Sequence, residues 1–453
     1  MSRPNAREQA LDLLFLILEK GAYSPLALND ALSKNTWSAA DRALITTLVY
    51  GTMQRKMTLD YVLSCFVAKE KRLDNWVHLL LLLSIYQKMY LDRIPDHALV
   101  NEAVEIAKRR GHRGISNFVN GVLRRLIREG VPSLDAITPE ERREAICSSH
   151  PQWLLRLWRG QWDAQTARRI AAADNEPPQT YVRVNRLRTD RETIISKLNE
   201  AGFTAAAGEL SADCLVVEHA AGNLAASPFF ISGDLTIQDQ SSMLVADAVD
   251  PQPHEHVLDA CAGPGGKTTH LAERMAGVGQ ITALDLHPHK TQLIDQAAQR
   301  LGVAACIHTQ TCDAREAGAI FPSQSFDRVL LDVPCSGFGV IRRKPEIRYE
   351  KQEADIAQLA RIQKAILREA APLVRMGGLL VYSTCTISRM ENDRQIRDFL
   401  ATHPEFEPDS KFAARMPVTV QPLINLQLAS LQLMPYMFAT DGFFIACLRR
   451  RQE

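Results

Sequence analysis

His256-Val257-Leu258-Asp259-Ala260-Cys261-Ala262-Gly263-Pro264-Gly265-Gly266-Lys267-Thr268 reads as a short apolar strand, a glycine-rich turn and the start of a helix that continues to Ala276. Glycines let the backbone approach a ligand closely, and the helix N-terminus offers free N–H groups. Asp285 ends the next apolar run, Ile281 to Asp285, nineteen residues after Gly266, where an acid is placed to bind ribose hydroxyls. Beyond it the pattern predicts a helix from Pro288 to Leu301, a buried strand Phe326–Asp332, a long helix from about Ala354 to Val374, and a strand Leu379–Ser383. Strands alternating with helices imply a parallel, doubly wound α/β sheet over residues 236–453. Leu433–Phe438 and Phe443–Leu448 flank Asp441-Gly442 and read as a hairpin closing the sheet edge.

The turn excludes two nucleotide classes. A phosphate-binding G-x-x-x-x-G-K-[ST] loop ending at Gly266-Lys267-Thr268 would need glycine at the position held by Cys261. A dinucleotide G-x-G-x-x-G starting at Gly263 would need glycine where Thr268 stands. What remains is a nucleoside-type ligand without a pyrophosphate, and S-adenosylmethionine is the common one.

Two further motifs, Asp332-Val333-Pro334-Cys335-Ser336-Gly337 and Ser383-Thr384-Cys385-Thr386, each follow a predicted parallel strand. Both cysteines therefore belong at the C-terminal edge of the sheet, where open α/β sheets bind ligands. A single such cysteine is most often a small core residue; two at one edge, one beside an acid, point to covalent chemistry. C5 of cytosine is too weakly nucleophilic to attack a methylsulfonium. A thiolate adding at C6 makes C5 nucleophilic, and an acid at N3 or N4 of the base stabilises the charge that develops. The residues alone leave open which cysteine attacks.

Residues 1–145 read as almost entirely helical, with periodic apolar segments near 5–20, 40–66, 75–90, 98–110 and 115–128. Lys108, Arg109, Arg110, Arg113, Arg124, Arg125 and Arg128 form a run free of acids, which is either a phosphate-binding face or a solvated helix surface. Residues 146–235 form a middle region of α+β character. It opens with Trp153, Trp158 and Trp162, which suit a core, and continues into the strand-like Tyr181-Val182-Arg183-Val184-Asn185. Arg183, Arg186, Arg188 and Arg191 beside Tyr181 suit phosphate contacts and base stacking.

A chain of 453 residues is too long for one ordinary domain. Its net charge of +1 names no partner, and its nine scattered cysteines contain no C-x-x-C pair, arguing against zinc or a disulfide framework and for a reducing cytoplasm. The apolar stretch from Leu11 contains Asp12 and ends in Glu19-Lys20, so it reads as a core helix with Leu11, Leu14, Phe15 and Leu18 on one face. The run Val77–Tyr86 is about half a bilayer span. The expectation is a cytoplasmic protein with no membrane or metal partner.

Taken together, these segments resemble the Sun/Fmu type of bacterial 16S rRNA cytosine-C5 methyltransferases within the Nol/Nop/Sun family. The resemblance is carried by Ile94-Pro95-Asp96-His97, Asn117 to Arg125, Gln238 to Ser242, Cys261 to Thr268, Asp332 to Gly337, Lys344 to Arg348, Ser383-Thr384-Cys385 and Asp441 to Phe444. The family often has alanine or serine at the position of Gly263. The resemblance implies an N-terminal all-α NusB-like RNA-binding domain, a small α+β middle region for RNA recognition, and a C-terminal Rossmann-like S-adenosylmethionine-dependent methyltransferase. It implies that Cys385 is the nucleophile, that Cys335 assists product release, and that Asp332 contacts both cytosine and cofactor. It assigns Cys261, Ala262, Gly263, Pro264, Gly265, Gly266, Lys267, Asp285, Asp313 and Asp332 to S-adenosylmethionine, and makes Arg109, Arg113, Arg124, Arg125, Arg183, Arg186 and Arg188 candidates for RNA contact. The implied partner is 16S rRNA, free or in an early assembly intermediate, acted on by a monomer. A tRNA cytosine is the alternative substrate, and a non-catalytic RNA-binding protein the alternative class.

Overall fold

The computed structural model describes residues 5–34, 37–68, 70–219 and 223–452. Contacts divide the chain into two compact units: residues 1–176 with Ile341–Lys351, and residues 177–340 with 352–453.

The first unit is helical: α1 (Ala6–Lys20), α2 (Ser24–Lys34), α3 (Ala39–Gln54), α4 (Lys56–Ser64), α5 (Asn75–Tyr90), α6 (Asp96–Arg110), α7 (Arg113–Glu129), α8 (Glu140–Ser148), α9 (Gln152–Gln161) and α10 (Ala164–Ala173). Asn5 caps α1 by accepting from the Glu8 N–H at 2.9 Å, and Gly21 ends it in the left-handed region at φ +69°. The buried face of α1 is Ala10, Leu11, Leu14 and Ile17 with Leu13, a slight rotation of the expected stripe, with Phe15 and Leu18 only partly buried. Helix α5 is buried from Leu79 to Gln87, so its all-round apolarity marks a central core helix. Among the described residues no helix is long and apolar enough to cross a membrane.

Helix α2 carries Pro25 in its first turn. Proline in a first turn removes an N–H that has no intrahelical partner anyway, so the helix forms. The expected single segment 40–66 divides at Arg55 into α3 and α4. Helices α8 to α10 pack within this compact unit, which runs to residue 176. The Thr58 hydroxyl donates to the Ile146 carbonyl at 2.6 Å, and the Ser149 hydroxyl accepts from the Met57 N–H at 2.9 Å. Trp158 is a fully buried core residue, edge-on to His150 with ring centroids 5.5 Å apart.

The second unit holds two sheets. Strands β1 (Thr180–Val184), β2 (Thr204–Ala207), β3 (Cys214–His219) and β4 (Leu235–Ile237) form an antiparallel sheet in the order β2-β3-β1-β4, with α11 (Arg191–Glu200) alongside. The larger sheet contains β5 (His256–Asp259), β6 (Gln280–Asp285), β7 (Ile307–Thr311), β8 (Phe326–Asp332), β9 (Val374–Thr384), β10 (Phe406–Pro408), β11 (Ile424–Asn425), β12 (Ser430–Leu433) and β13 (Phe443–Arg450). Its order is β11-β12-β13-β9-β8-β5-β6-β7, with β10 on β13. Strands β9, β8, β5, β6 and β7 run parallel, and β10, β12 and β13 add antiparallel pairs at one side. Helices α12 (Gln240–Val249), α13 (Gly266–Arg274), α14 (Pro288–Leu301), α15 (Glu353–Ala370) and α16 (Asp393–Thr402) connect and cover it.

The chain runs β5-β6-β7 outward and then returns to place β8 on the other side of β5. That reversal opens a crevice at the C-terminal ends of β5 and β8. The first strand of the closing hairpin lies earlier than the expected Leu433–Phe438: β12 spans Ser430–Leu433 and ends with Leu433 paired to Phe443. Pro435 lacks a ladder donor, and Phe438 and Ala439 take positive φ of 51° and 50°, so residues 434–442 turn instead of extending the strand.

Candidate active site

The crevice is bordered by the ends of three adjacent strands. Asp259 ends β5, Asp332 ends β8 opposite Ser383, and β9 delivers Thr384 and then Cys385. The turn after β5 is held against β6 and β8. Ala262 N–H donates to Leu284 O at 2.8 Å, Ala260 N–H to Leu330 O at 3.0 Å, and Gly263 N–H to the Asp285 carboxylate at 3.0 Å. A Cβ at Gly263 would come within 2.7 Å of Lys290 Cδ, and Gly265, at φ +103°, would bring one within 3.0 Å of the Ile294 backbone. At Gly265 both the close approach and the positive φ require glycine, whereas Gly263 meets only side-chain atoms.

A cavity of about 190 Å³ lies on this turn, lined by Ser242, Asp259, Cys261, Ala262, Gly263, Pro264, Gly266, Lys267 and Asp332. Asp259 is fully buried; one carboxylate oxygen accepts from the Thr268 hydroxyl at 2.7 Å and the other has no partner. Burial, with the Asp332 charge nearby, pushes its pKa up to about 7. Burial and the carboxylates of Asp259, Asp332, Asp285 and Asp313 hold the Cys261 thiol well above its ordinary pKa, so it is inert. Four acids around one turn make a poor seat for a pyrophosphate and a good one for a cationic nucleoside. Asp285 also accepts from the His287 N–H at 2.9 Å, and Asp313 pairs with Arg315.

Beside the cavity, Lys267 Nζ lies 2.7 Å from Asp332, and its ammonium faces the Phe443 ring at 5.2 Å. Burial would lower the Lys267 pKa, but Asp332 and Cys385 outweigh it and raise it. The other Asp332 oxygen accepts from the Ser383 hydroxyl at 2.8 Å. The sulfurs of Cys335 and Cys385, fifty positions apart in the chain, are 3.3 Å apart. The hydrogen bond with Cys385, burial and the Glu391 charge push the Cys335 thiol well above its ordinary pKa, so this sulfur keeps its proton. The arrangement sets two sulfurs in contact at the same sheet edge as an acid paired with a lysine.

The sequence pattern did not reveal Glu391 or Gln363, and it gave Asp239, within Gln238 to Ser242, no role. Asp239 accepts from the Ser241 N–H at 2.9 Å and from the Thr440 hydroxyl, tying the entry to α12 to the loop before β13. The local sign was the cluster Gln238 to Ser242, whose partners lie some two hundred positions away.

The arginine candidates divide. Arg109, Arg113, Arg124 and Arg125 are exposed on α6 and α7; Arg109 meets Glu8 at 2.8 Å and Arg125 meets Glu129 at 3.0 Å. Arg186 and Arg188 are exposed, with Arg186 paired to Asp213. Arg183 departs from the expected phosphate contact because it is fully buried. Its guanidinium donates to Glu273 at 2.8 and 3.0 Å, to Thr269 at 3.0 Å, to the Gly266 carbonyl at 2.6 Å and to Gln238, anchoring the start of α13. Val182 and Val184 face the opposite side of β1 from Arg183, and both faces of the strand are covered, so alternation did not mark the arginine as buried. Among the described residues no cluster of His, Cys, Asp or Glu is placed to hold a metal ion.

Three consecutive segments match known families: residues 4–128 the NusB family, 150–222 the ferredoxin-like domain of RsmF/B-like methyltransferases, and 246–449 the 16S rRNA methyltransferase RsmB/F family. The chain is 48% identical over 451 residues to the "Probable ribosomal RNA small subunit methyltransferase B" of Bacillus subtilis, covering 100% of both chains. It is 37% identical over 369 residues to the ribosomal RNA small subunit methyltransferase B of Pseudomonas putida, covering 80% of this chain and 82% of that one. The crystal structure of PH0851 superposes with a TM-score of 0.86 at 27% identity, covering 99% of this chain and all of that one. On the full-length identity and the three matched segments, the chain belongs to the ribosomal RNA small subunit methyltransferase B family.

Proposed function

We propose that this protein methylates C5 of a cytosine in 16S rRNA, using S-adenosylmethionine and a covalent adduct between Cys385 and C6 of the base. The observation that carries the reading is the pair of sulfurs 3.3 Å apart beside the Asp332–Lys267 pair. The residues of the turn fit the cofactor: an unpartnered buried Asp259 oxygen, a glycine cradle and an acidic surround suit its ammonium and sulfonium charges. Cys261 to Lys267, Asp285 and Asp313 would hold it. When bound, S-adenosylmethionine supplies the electrophilic methyl group that C5 takes.

The chain's own residues do the rest. Lys267 supplies positive charge that favours the Cys385 thiolate, which adds to C6 and breaks the 5,6-double bond. Asp332 is positioned by Ser383 and Lys267 to accept from the cytosine amino group, stabilising the base as the sulfur adds. After C5 is methylated, water takes its proton, the C5–H electrons restore the 5,6-double bond and Cys385 leaves as a thiolate, which the Cys335 thiol 3.3 Å away would protonate. The target base must be unstacked for C6 to be reached. The exposed Arg109, Arg113, Arg124, Arg125, Arg186 and Arg188 are candidates for contacts to the RNA backbone.

Transfer of labelled methyl to 16S rRNA from a strain lacking the protein, with bisulfite mapping, is expected to give one new 5-methylcytosine. Transfer to tRNA alone would keep the chemistry and overturn the substrate, and no transfer to either would favour a non-catalytic RNA-binding role. Cys385→Ala is expected to abolish the covalent RNA adduct and lower transfer on the order of 10³-fold or more. Cys335→Ala is expected to trap the adduct as a slow-migrating band. The opposite pattern would exchange the two roles.

A further inference from the structure

Two loops carry the cysteines, and one buried carboxylate touches both neighbourhoods. Glu391, fully buried, accepts from the Ser336 N–H at 2.8 Å and from the Ser336 hydroxyl at 2.6 Å. Because the carboxylate can only accept, the Ser336 hydroxyl spends its proton there and must accept from Thr386, whose hydroxyl is 2.7 Å away. Ser336 follows Cys335 and Thr386 follows Cys385, so a Thr386–Ser336–Glu391 chain joins the two loops immediately after their cysteines. Gln363 of α15 closes the other side, donating to Pro334 O at 2.9 Å and to Glu391 at 3.1 Å. The Glu391 carbonyl accepts from the Tyr382 hydroxyl at 2.6 Å, fixing the carboxylate's own backbone to β9.

We propose that Glu391 is a positioning residue: its carboxylate clasps the Cys335 loop onto the Cys385 loop and keeps Cys335 a thiol while Cys385 reacts. The charged and titratable groups facing Cys335 are Cys385, Glu391 and Tyr382. Burial raises the Glu391 pKa while hydrogen bonds from Ser336 and Gln363 oppose that rise; the carboxylate they hold disfavours a Cys335 thiolate, so removing its charge eases ionisation of Cys335. The step served is proton delivery to the leaving Cys385 sulfur, and in that respect the inference rests on the assignment of Cys385 as nucleophile.

The test uses full-length protein with Glu391→Gln, which keeps the side-chain shape and removes the charge, and with Ser336→Ala, which keeps the charge and breaks the hydroxyl chain. Iodoacetamide labelling of Cys335, read by mass spectrometry in a Cys385→Ala background from neutral to alkaline pH, is expected to be roughly 10-fold faster in Glu391→Gln below the midpoint, the gain from about one pKa unit. Ser336→Ala is expected to leave that pH midpoint unchanged. With Cys385 intact, both variants are expected to lower kcat by about 10-fold or more while KM for RNA stays within about 2-fold, and Glu391→Gln to accumulate adduct. Wild-type kcat in either variant would overturn the clasp. An unchanged Cys335 midpoint in Glu391→Gln would overturn the charge role. If Glu391→Gln does not fold, the kcat of Ser336→Ala decides the clasp and its adduct level decides whether release is the step affected. Labelling needs no methyl transfer, so failure of the proposed reaction in wild-type protein stays distinguishable from failure of the clasp.

Discussion

At the scale of single residues, the site depends on contacts made by groups with almost no side chain. Gly339 N–H donates to Cys385 O at 3.0 Å, and Gly442 N–H donates to Gly339 O at 2.8 Å. A Cβ at Gly339 would lie 2.8 Å from Cys385 O and overlap the Gly442 carbonyl. Those neighbours are backbone atoms, so relief requires moving both loops. Gly339→Ala is expected to destabilise the second unit by about 1–3 kcal/mol, lowering Tm by a few degrees, and to depress methyl transfer more than stability alone explains. Thermal melts beside a transfer assay check this; wild-type activity at a lowered Tm would show that the sulfur spacing tolerates the shift. Cys335, Cys385 and Asp332 were legible because each sits at a fixed offset from an apolar strand. Glu391 was not, because its partners are a loop amide and hydroxyl fifty-five positions earlier.

At the scale of elements, the helix leaving the turn is held by a buried polar network as well as by its apolar face. His270 of α13 is buried and lies 3.1 Å from Asp213. Burial and the Arg183 charge outweigh the hydrogen bond to Asp213 and depress the His270 pKa to about 4, while its Nδ1 has no partner. Neutral His270 therefore donates Nε2–H to Asp213. That carboxylate, although burial alone would raise its pKa, is brought down to about 2 by His270, Arg186 and Arg274. The folded pKa of His270 is below the unfolded value of 6.5, so the unfolded chain takes the proton first. This contribution to stability is present above pH 6.5 and is lost as pH falls towards 4. In His270→Gln the dependence of Tm on pH in that window is expected to flatten; an unchanged slope would show that His270 is not the titrating group. The strands and helices themselves followed from apolar periodicity, whereas β12 and the loop to β13 depended on φ values that periodicity does not carry.

At the scale of the whole molecule, the chain enters its helical unit twice. Ile341–Lys351, with a single helical turn at Ile347–Glu350, belongs to the first unit although the segments before and after it belong to the second. Arg348 is fully buried there and donates to Gln54 O at 3.2 Å, Ser149 O at 3.1 Å, Asn175 at 3.0 Å and Asp174 O at 3.2 Å. Ser24 is held by Glu346 at 2.8 Å, and the Tyr349 hydroxyl donates to Met53 O at 2.8 Å. Arg348→Met strands several buried carbonyls and is expected to cost the first unit about 3 kcal/mol or more, read by chemical denaturation. A fragment ending at Glu176 is expected to share the defect, and full stability of that fragment would show that the segment is dispensable to the unit.

The chain's own pattern determined the classes of structure and the chemical vocabulary. Helical periodicity marked the N-terminal third, strand–helix alternation marked the doubly wound sheet, and the turn from Cys261 to Thr268 with the two cysteine motifs marked the reacting edge. These are local signals, because hydrophobic period and turn chemistry act over a few residues. Tertiary structure decided what each polar residue faces. It turned Arg183 inward to anchor α13, carried Ile341–Lys351 into the helical unit, and brought Glu391 and Gln363 against the Cys335 loop. Such pairings join residues far apart in the chain, and burial makes each donor and acceptor find a partner wherever the fold supplies one.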